Sequence, residues 1–140
     1  MPLIYRAMTV EQNKPLVANT ARGLGVRFGD GPTADMPVDE NGNVHPGSHG
    51  MSVAPAWRDL EIHRIPRRSR RLVPEASGSN KDACWKMGTG PFEKGPIAEG
   101  LELEIDSPKH GLVGTAAITS KEDYLAALTA TRDLWLIDEE

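Results

Sequence analysis

Arg6 and Ser52 are the polar side chains whose settings most need a purpose. Arg6 lies in Leu3-Ile4-Tyr5-Arg6-Ala7-Met8, where alternation predicts a strand with Leu3, Tyr5 and Ala7 on one face and Ile4, Arg6 and Met8 on the other. A guanidinium between two apolar neighbours needs a partner, because burying it unpaired is costly. Ser52 follows the glycine of His49-Gly50-Met51-Ser52-Val53. There the hydroxyl either faces a ligand that the glycine lets approach, or tightens a turn. His110 is an imidazole able to exchange a proton near neutral pH, or an ordinary turn residue after Lys109.

Other reactive types are poorly placed. His45 and His49 are four apart, but Pro46 and Gly47 between them prevent a helical turn, and no third ligand is indicated. No metal site is expected. Cys84 is the only cysteine, so an internal disulfide and paired-thiolate zinc are excluded. Its neighbours Trp85 and Met87 read as a buried strand, which makes the thiol structural. Phosphate-binding P-loops, hydrolase elbows and dinucleotide glycine fingerprints are absent. The run Arg64-Ile65-Pro66-Arg67-Arg68-Ser69-Arg70-Arg71 holds five arginines in eight residues. It is either a solvated loop or a docking surface for an acidic partner.

These groups need a scaffold of short elements. With 14 glycines and 11 prolines in 140 residues, turns dominate and a helical bundle is disfavoured. Leu24, Val26 and Phe28 alternate as a short strand, and residues 29–50 form a long loop anchored by Met36, Val38 and Val44. Further strands are expected at Leu60–His63, Ala83–Met87 and Leu101–Ile105, the last with its glutamates facing water. Thr119 and Glu122 match a capping box, opening a helix from about Ser120 to Leu134. That helix buries Tyr124, Leu128, Thr131 and Trp135 along one face. The whole, residues 1–140, reads as one α+β domain.

Hydrophobic residues at 39% and charged residues at 26% give a globular chain with one core rather than a disordered one. A net charge of −4 argues against a dedicated nucleic-acid binder without excluding one. No stretch approaches the roughly 20 apolar residues of a membrane helix. The first residues lack a signal-peptide pattern. A cytoplasmic origin is expected, with any export by a route that needs no cleaved signal.

Three stretches in order resemble a family of bacterial toxins exported by type VI secretion. Leu3-Ile4-Tyr5-Arg6-Ala7 is similar to the strand that opens the family's domain. Gly50-Met51-Ser52-Val53, after Pro46-Gly47-Ser48-His49, is similar to its Gly-Thr-Ser-Val segment. His110 to Trp135 is similar to its C-terminal stretch of strand, helix and terminal Trp. The resemblance implies an ADP-ribosyltransferase-like fold, two small facing β-sheets with flanking helices and long loops around an NAD cleft. NAD would be the substrate, its ADP-ribose transferred to a target or its glycosidic bond hydrolysed. Mapped onto this sequence, Arg6, Ser52 and His110 would be catalytic, and Tyr5, Arg6, His49, Gly50, Met51 and Ser52 would contact the nucleotide. An immunity protein and a macromolecular target would be the partners, and delivery into another cell the setting. The sequence departs from the family at Met51, where a Thr is expected, and in having no glutamate at the third motif, since Gly111-Leu112-Val113-Gly114-Thr115 follows His110. Two other readings stay open: a non-catalytic module acting through its arginines on nucleic acid or an acidic protein, and an accessory protein of a secreted assembly.

Overall fold

The computed structural model describes residues 1–139. The alternating N-terminal run becomes β1 (Ile4–Glu11). Gln12 and Asn13 end it with φ of 52° and 65°. Two successive left-handed residues suit a two-residue hairpin, and the chain returns at once as β2 (Lys14–Pro15), with Glu11 opposite Lys14.

Short strands β3 (Asn43–Val44) and β4 (Met51–Val53) follow the long loop, then β5 (Asp82–Met87), β6 (Gly95–Ala98), β7 (Leu101–Ser107), β8 (His110–Thr115) and β9 (Thr119–Ser120). The helix α1 (Lys121–Ala130) and β10 (Leu136–Ile137) complete the order. The strands form two four-stranded sheets, β10-β5-β1-β2 and β4-β8-β7-β6, and a two-stranded ribbon, β3-β9. Every pairing between named strands is antiparallel.

Both large sheets share one core. Ile4, Met8, Trp85 and Met87 from the first sheet meet Met51, Val53, Leu101, Leu103 and Val113 from the second, with Tyr124, Leu128 and Trp135 closing the cluster. With few aromatic residues, the buried polar handles of those present are all satisfied. Trp85 Nε1 donates to Met8 O at 2.9 Å, Tyr124 Oη to Val113 O at 2.6 Å, and Trp135 Nε1 to Thr131 Oγ1 at 3.0 Å. The opposite face of β1 carries Tyr5, which packs with Trp57, Ile65, Ala76 and Cys84 in a second cluster.

Several expectations are corrected. Leu24 and Val26 are buried, but the segment joins its neighbours only through single bridges, Val17–Leu24 and Phe28–Met36. At Gly25 a Cβ would stand 2.3 Å from Ala18 O, so backbone packs directly on backbone there. Residues 60–63 turn instead of forming a strand, because the Glu61 carbonyl accepts from the N–H groups of Arg64 and Ile65 at 2.8 and 3.3 Å. The arginine run is a 3-10 helix, Arg67–Arg71. The helix cap falls one residue late: Thr119 is held in β9 opposite Val44, and Ser120 Oγ accepts from Asp123 N at 3.0 Å. The fold is thus α+β, but flanking helices in the plural are absent: α1 is the only α-helix among the described residues, beside three short 3-10 turns. Among those residues no helix is long and apolar enough to cross a membrane.

Candidate functional site

The two large sheets meet along β1. Its outer edge bonds to β2 near one end and to Ala54, just past β4, near the other. Tyr5 N donates to Ala54 O at 2.7 Å, and Ala54 N returns a bond to Tyr5 O at 2.9 Å. Beyond that single bridge the strands part like a fork, and a cavity of about 150 Å³ opens there. Arg6 and Ala7 line it from β1; Ser52, Val53 and Ala54 line it from β4 and just beyond; His110 lines it from the start of β8. Arg6, Ser52 and His110, far apart in the sequence, thus converge.

Arg6 is only 6% exposed. Its partners are carbonyls rather than a carboxylate. Nε and Nη2 donate to Gly23 O at 3.1 and 3.0 Å, Nη1 to Ser52 O at 2.8 Å, and Nη2 makes longer contacts with Thr20 O and Ala21 O at 3.4 and 3.5 Å. Burial lowers its pKa to about 10, with the nearby Arg64 charge acting in the same direction and Asp35 opposing, so it stays protonated at neutral pH. The side chain pins the two arms of the fork to the 20–23 loop. Most of its donors are spent, which leaves little of the guanidinium for a ligand.

Around it stand other charged groups, of which the sequence pattern singled out only Arg64, at the head of the basic run. Arg27 grips Asp35 with two bonds of 3.1 and 3.0 Å, and Asp35 also accepts from Arg27 N at 2.9 Å. Asp59 and Glu61 bring two more carboxylates. Asp59 lies 4.0 Å from Lys109 Nζ, and Glu61 pairs with His63 at 3.0 Å. Arg64 completes the wall, donating to Ala21 O at 3.1 Å. Asp59 ends the 3-10 turn Trp57–Asp59, and Glu61 and Arg64 are brought in by the turn that replaces the expected strand, so alternation could not have found them.

His110 has a partner that sequence spacing hides. The register of β7 against β8 shifts between Ile105 and Ser107, leaving Asp106 out of the ladder. Such a bulge re-aims a side chain, and the Asp106 carboxylate reaches His110 Nδ1 at 2.7 and 2.9 Å. Among the described residues His110 Nε2 has no hydrogen-bond partner. A carboxylate-oriented imidazole of this kind can accept or deliver a proton. The Ser52 hydroxyl likewise makes no hydrogen bond among the described residues, and pairing with Leu112 puts Ser52 on the sheet face shared by His110.

Four other residues assigned to a nucleotide do not line the cavity. Tyr5 points into the second cluster and donates to Asp138 at 2.8 Å. Met51 is 1% exposed, in the core. Gly50 is pressed against β8, where a Cβ would lie 2.2 Å from Val113 O. His49 is exposed at the surface. The basic run is partly spent as well: Arg68 is paired with Glu139 and donates to Asn80 O and Asp82 O, and Arg70 donates to Ala76 O. Among the described residues no group of three His, Cys, Asp or Glu could hold a metal ion.

No protein-family model matches the chain, and no curated protein matches it.

Proposed function

We propose that the fork between β1 and β4 is a nucleotide cleft and that the domain is an effector of the toxin class with an ADP-ribosyltransferase-like fold. In this reading it binds NAD and transfers ADP-ribose to a target or hydrolyses the nicotinamide–ribose bond. The observation that carries the reading is the convergence of Arg6, Ser52 and His110 on one cavity where two small antiparallel sheets diverge.

The chemistry assigns separate tasks to these groups. Cleaving the glycosidic bond builds positive charge on the ribose, which fixed carboxylates stabilise electrostatically. Asp59 and Glu61 supply negative charge at the cavity although the third-motif glutamate is missing. The Asp106–His110 pair suits proton removal from the attacking hydroxyl or water. Arg6 acts as the brace that sets the width of the fork. A cavity of about 150 Å³ is smaller than the ~300–1,000 Å³ typical of sites that enclose a drug-sized ligand. It holds one part of a dinucleotide, and the rest must lie outside it.

The test combines binding and turnover. Thermal unfolding with NAD at about 100 times its dissociation constant should show roughly 2.7 kcal/mol of added stability. Nicotinamide release should be measurable and should fall at least about a hundredfold in His110→Gln. Growth arrest on induction in a bacterium should be relieved by the same substitution. Absence of both NAD stabilisation and nicotinamide release would sink the reading.

A further inference from the structure

A second cavity, about 300 Å³, is lined by Arg22, His63, Arg64, Ser79 and Asp82. Arg64 lines both. We propose that Arg64 is the anion-gripping residue of the cleft, and that its ligand is an organic diphosphate lying across both cavities with the phosphates at Arg64. The proposal rests on the reading of the fork as a nucleotide cleft and names where the diphosphate sits.

Most charged groups that line the two cavities already have a partner. In the first cavity Asp35 closes on Arg27 through two side-chain bonds, and in the second Asp82 closes on Arg22 through bonds of 3.1 and 2.9 Å. Glu61 has His63 beside it and Asp59 has Lys109. Arg6 is spent on carbonyl oxygens of the fork. Arg64 differs from all of these. It is half-buried, makes one side-chain hydrogen bond, to Ala21 O, and has no carboxylate within ion-pair distance among the described residues. An arginine carries five N–H donors in a planar fork that matches phosphate oxygens. Most of those donors remain for a ligand.

Position then selects the ligand class. A lone phosphate would need one compartment, whereas here the unpaired cation lines two. A molecule with a bulky group on each side of a diphosphate places its charge at Arg64 and a nucleoside toward each cavity. The neighbouring Arg6 charge adds to the positive field without being able to move toward the ligand.

The experiment measures the Kd of NAD, ADP and adenosine by calorimetry for the unmodified chain, Arg64→Gln, Arg64→Lys and the exposed control Arg67→Gln. Arg64→Gln should weaken NAD and ADP by roughly tenfold to a hundredfold, the usual worth of charge-assisted hydrogen bonds. Arg64→Lys should fall between, since it keeps the charge and loses the fork. Adenosine binding and the Arg67→Gln control should not change. If Arg64→Gln does not fold, the Arg64→Lys loss alone carries the result. Equal NAD and ADP binding by Arg64→Lys and the unmodified chain overturns the proposal, and so does a chain that binds neither diphosphate. Arg64-dependent ADP binding without cleavage of NAD leaves this proposal standing and removes the enzymatic reading.

Discussion

Arg6 Nη1 and the carbonyl oxygen of Ser52 are 2.8 Å apart, and this bond crosses the gap where β1 and β4 separate. The same guanidinium holds Gly23 O by two bonds, so three chain segments meet on one side chain. A residue that the N-terminal motif suggests for ligand contact is therefore first a strut. Its loss should register in stability before it registers in binding.

Arg6→Ala should cost about 2 kcal/mol or more, because the buried Gly23 and part-buried Ser52 carbonyls lose their donors at about 1–3 kcal/mol each. Arg6→Lys should recover part of that, having no planar fork to span both carbonyls. The midpoint of urea unfolding measures both, with Arg67→Ala expected within about 0.5 kcal/mol of the unmodified chain. An Arg6→Ala chain of unchanged stability would show that the strut carries no load. It follows that a loss of function in Arg6→Ala says little about chemistry at the cavity, whereas Ser52→Ala and His110→Gln leave these bonds in place.

Gly50→Ala should destabilise by at least about 1–3 kcal/mol. Its φ of +142° disfavours any side chain, and the new methyl would fall 2.2 Å from Val113 O, backbone that cannot swing aside. Gly31→Ala is the comparison, since nothing lies within 4 Å of a Cβ there. Similar melting curves for the two variants would refute the account.

Leu128→Ala should lose about 2–5 kcal/mol, as large-to-small changes in packed cores do. Leu128 is 1% exposed and lies in the cluster that also holds Leu101, Leu103 and Trp135. Calorimetric melting would reveal the loss as a fall of several degrees.

Alkaline titration tests the Tyr5–Asp138 contact. Burial, then the hydrogen bond to Asp138 and its charge, raise the Tyr5 phenol to about 12. In the unfolded chain it ionises near 10, so between about 10 and 12 the folded state holds the extra proton. Stability from this group is whole below pH 10 and falls as pH rises through that window. Tyr5→Phe should flatten its part of the slope, and tyrosinate absorbance of the folded chain should lag behind that of the denatured chain. Coincident absorbance curves would contradict the burial.

How much of this was legible beforehand depended on the kind of signal. Period-two alternation located β1 and β7, and the apolar neighbours of Cys84 located β5. Helical spacing located α1 with Tyr124 and Leu128 inward, but the helix expected to reach Leu134 ends at Ala130, and Thr131 and Trp135 are buried beyond it, on either side of a 3-10 turn. Alternation failed at Leu60–His63, where short-range carbonyl acceptance by Glu61 outweighed it. That failure hid part of the cavity wall, because Glu61 and Arg64 arrive on the turn. Asp106 was hidden for another reason: a bulge is a shift in pairing between two strands, and neither strand alone carries a mark of it. The convergence of Arg6, Ser52 and His110 was anticipated through resemblance, whereas the burial of Tyr5 and Met51 away from the cleft was not. The motif places those residues beside Arg6 and Ser52, but neighbours along a strand face opposite ways.

The carbonyl cage around Arg6 has a bearing on inheritance. Main-chain oxygens are common to all residue types, so Thr20, Ala21 and Ser52 hold the cation without any demand on their own side chains. Gly23 alone is constrained, because a Cβ there would stand 3.0 Å from Ala18. In descendants of this chain the strut would therefore persist as one unvarying arginine among drifting neighbours. No acidic position would change in step with it, as happens when a buried cation is matched by a side chain.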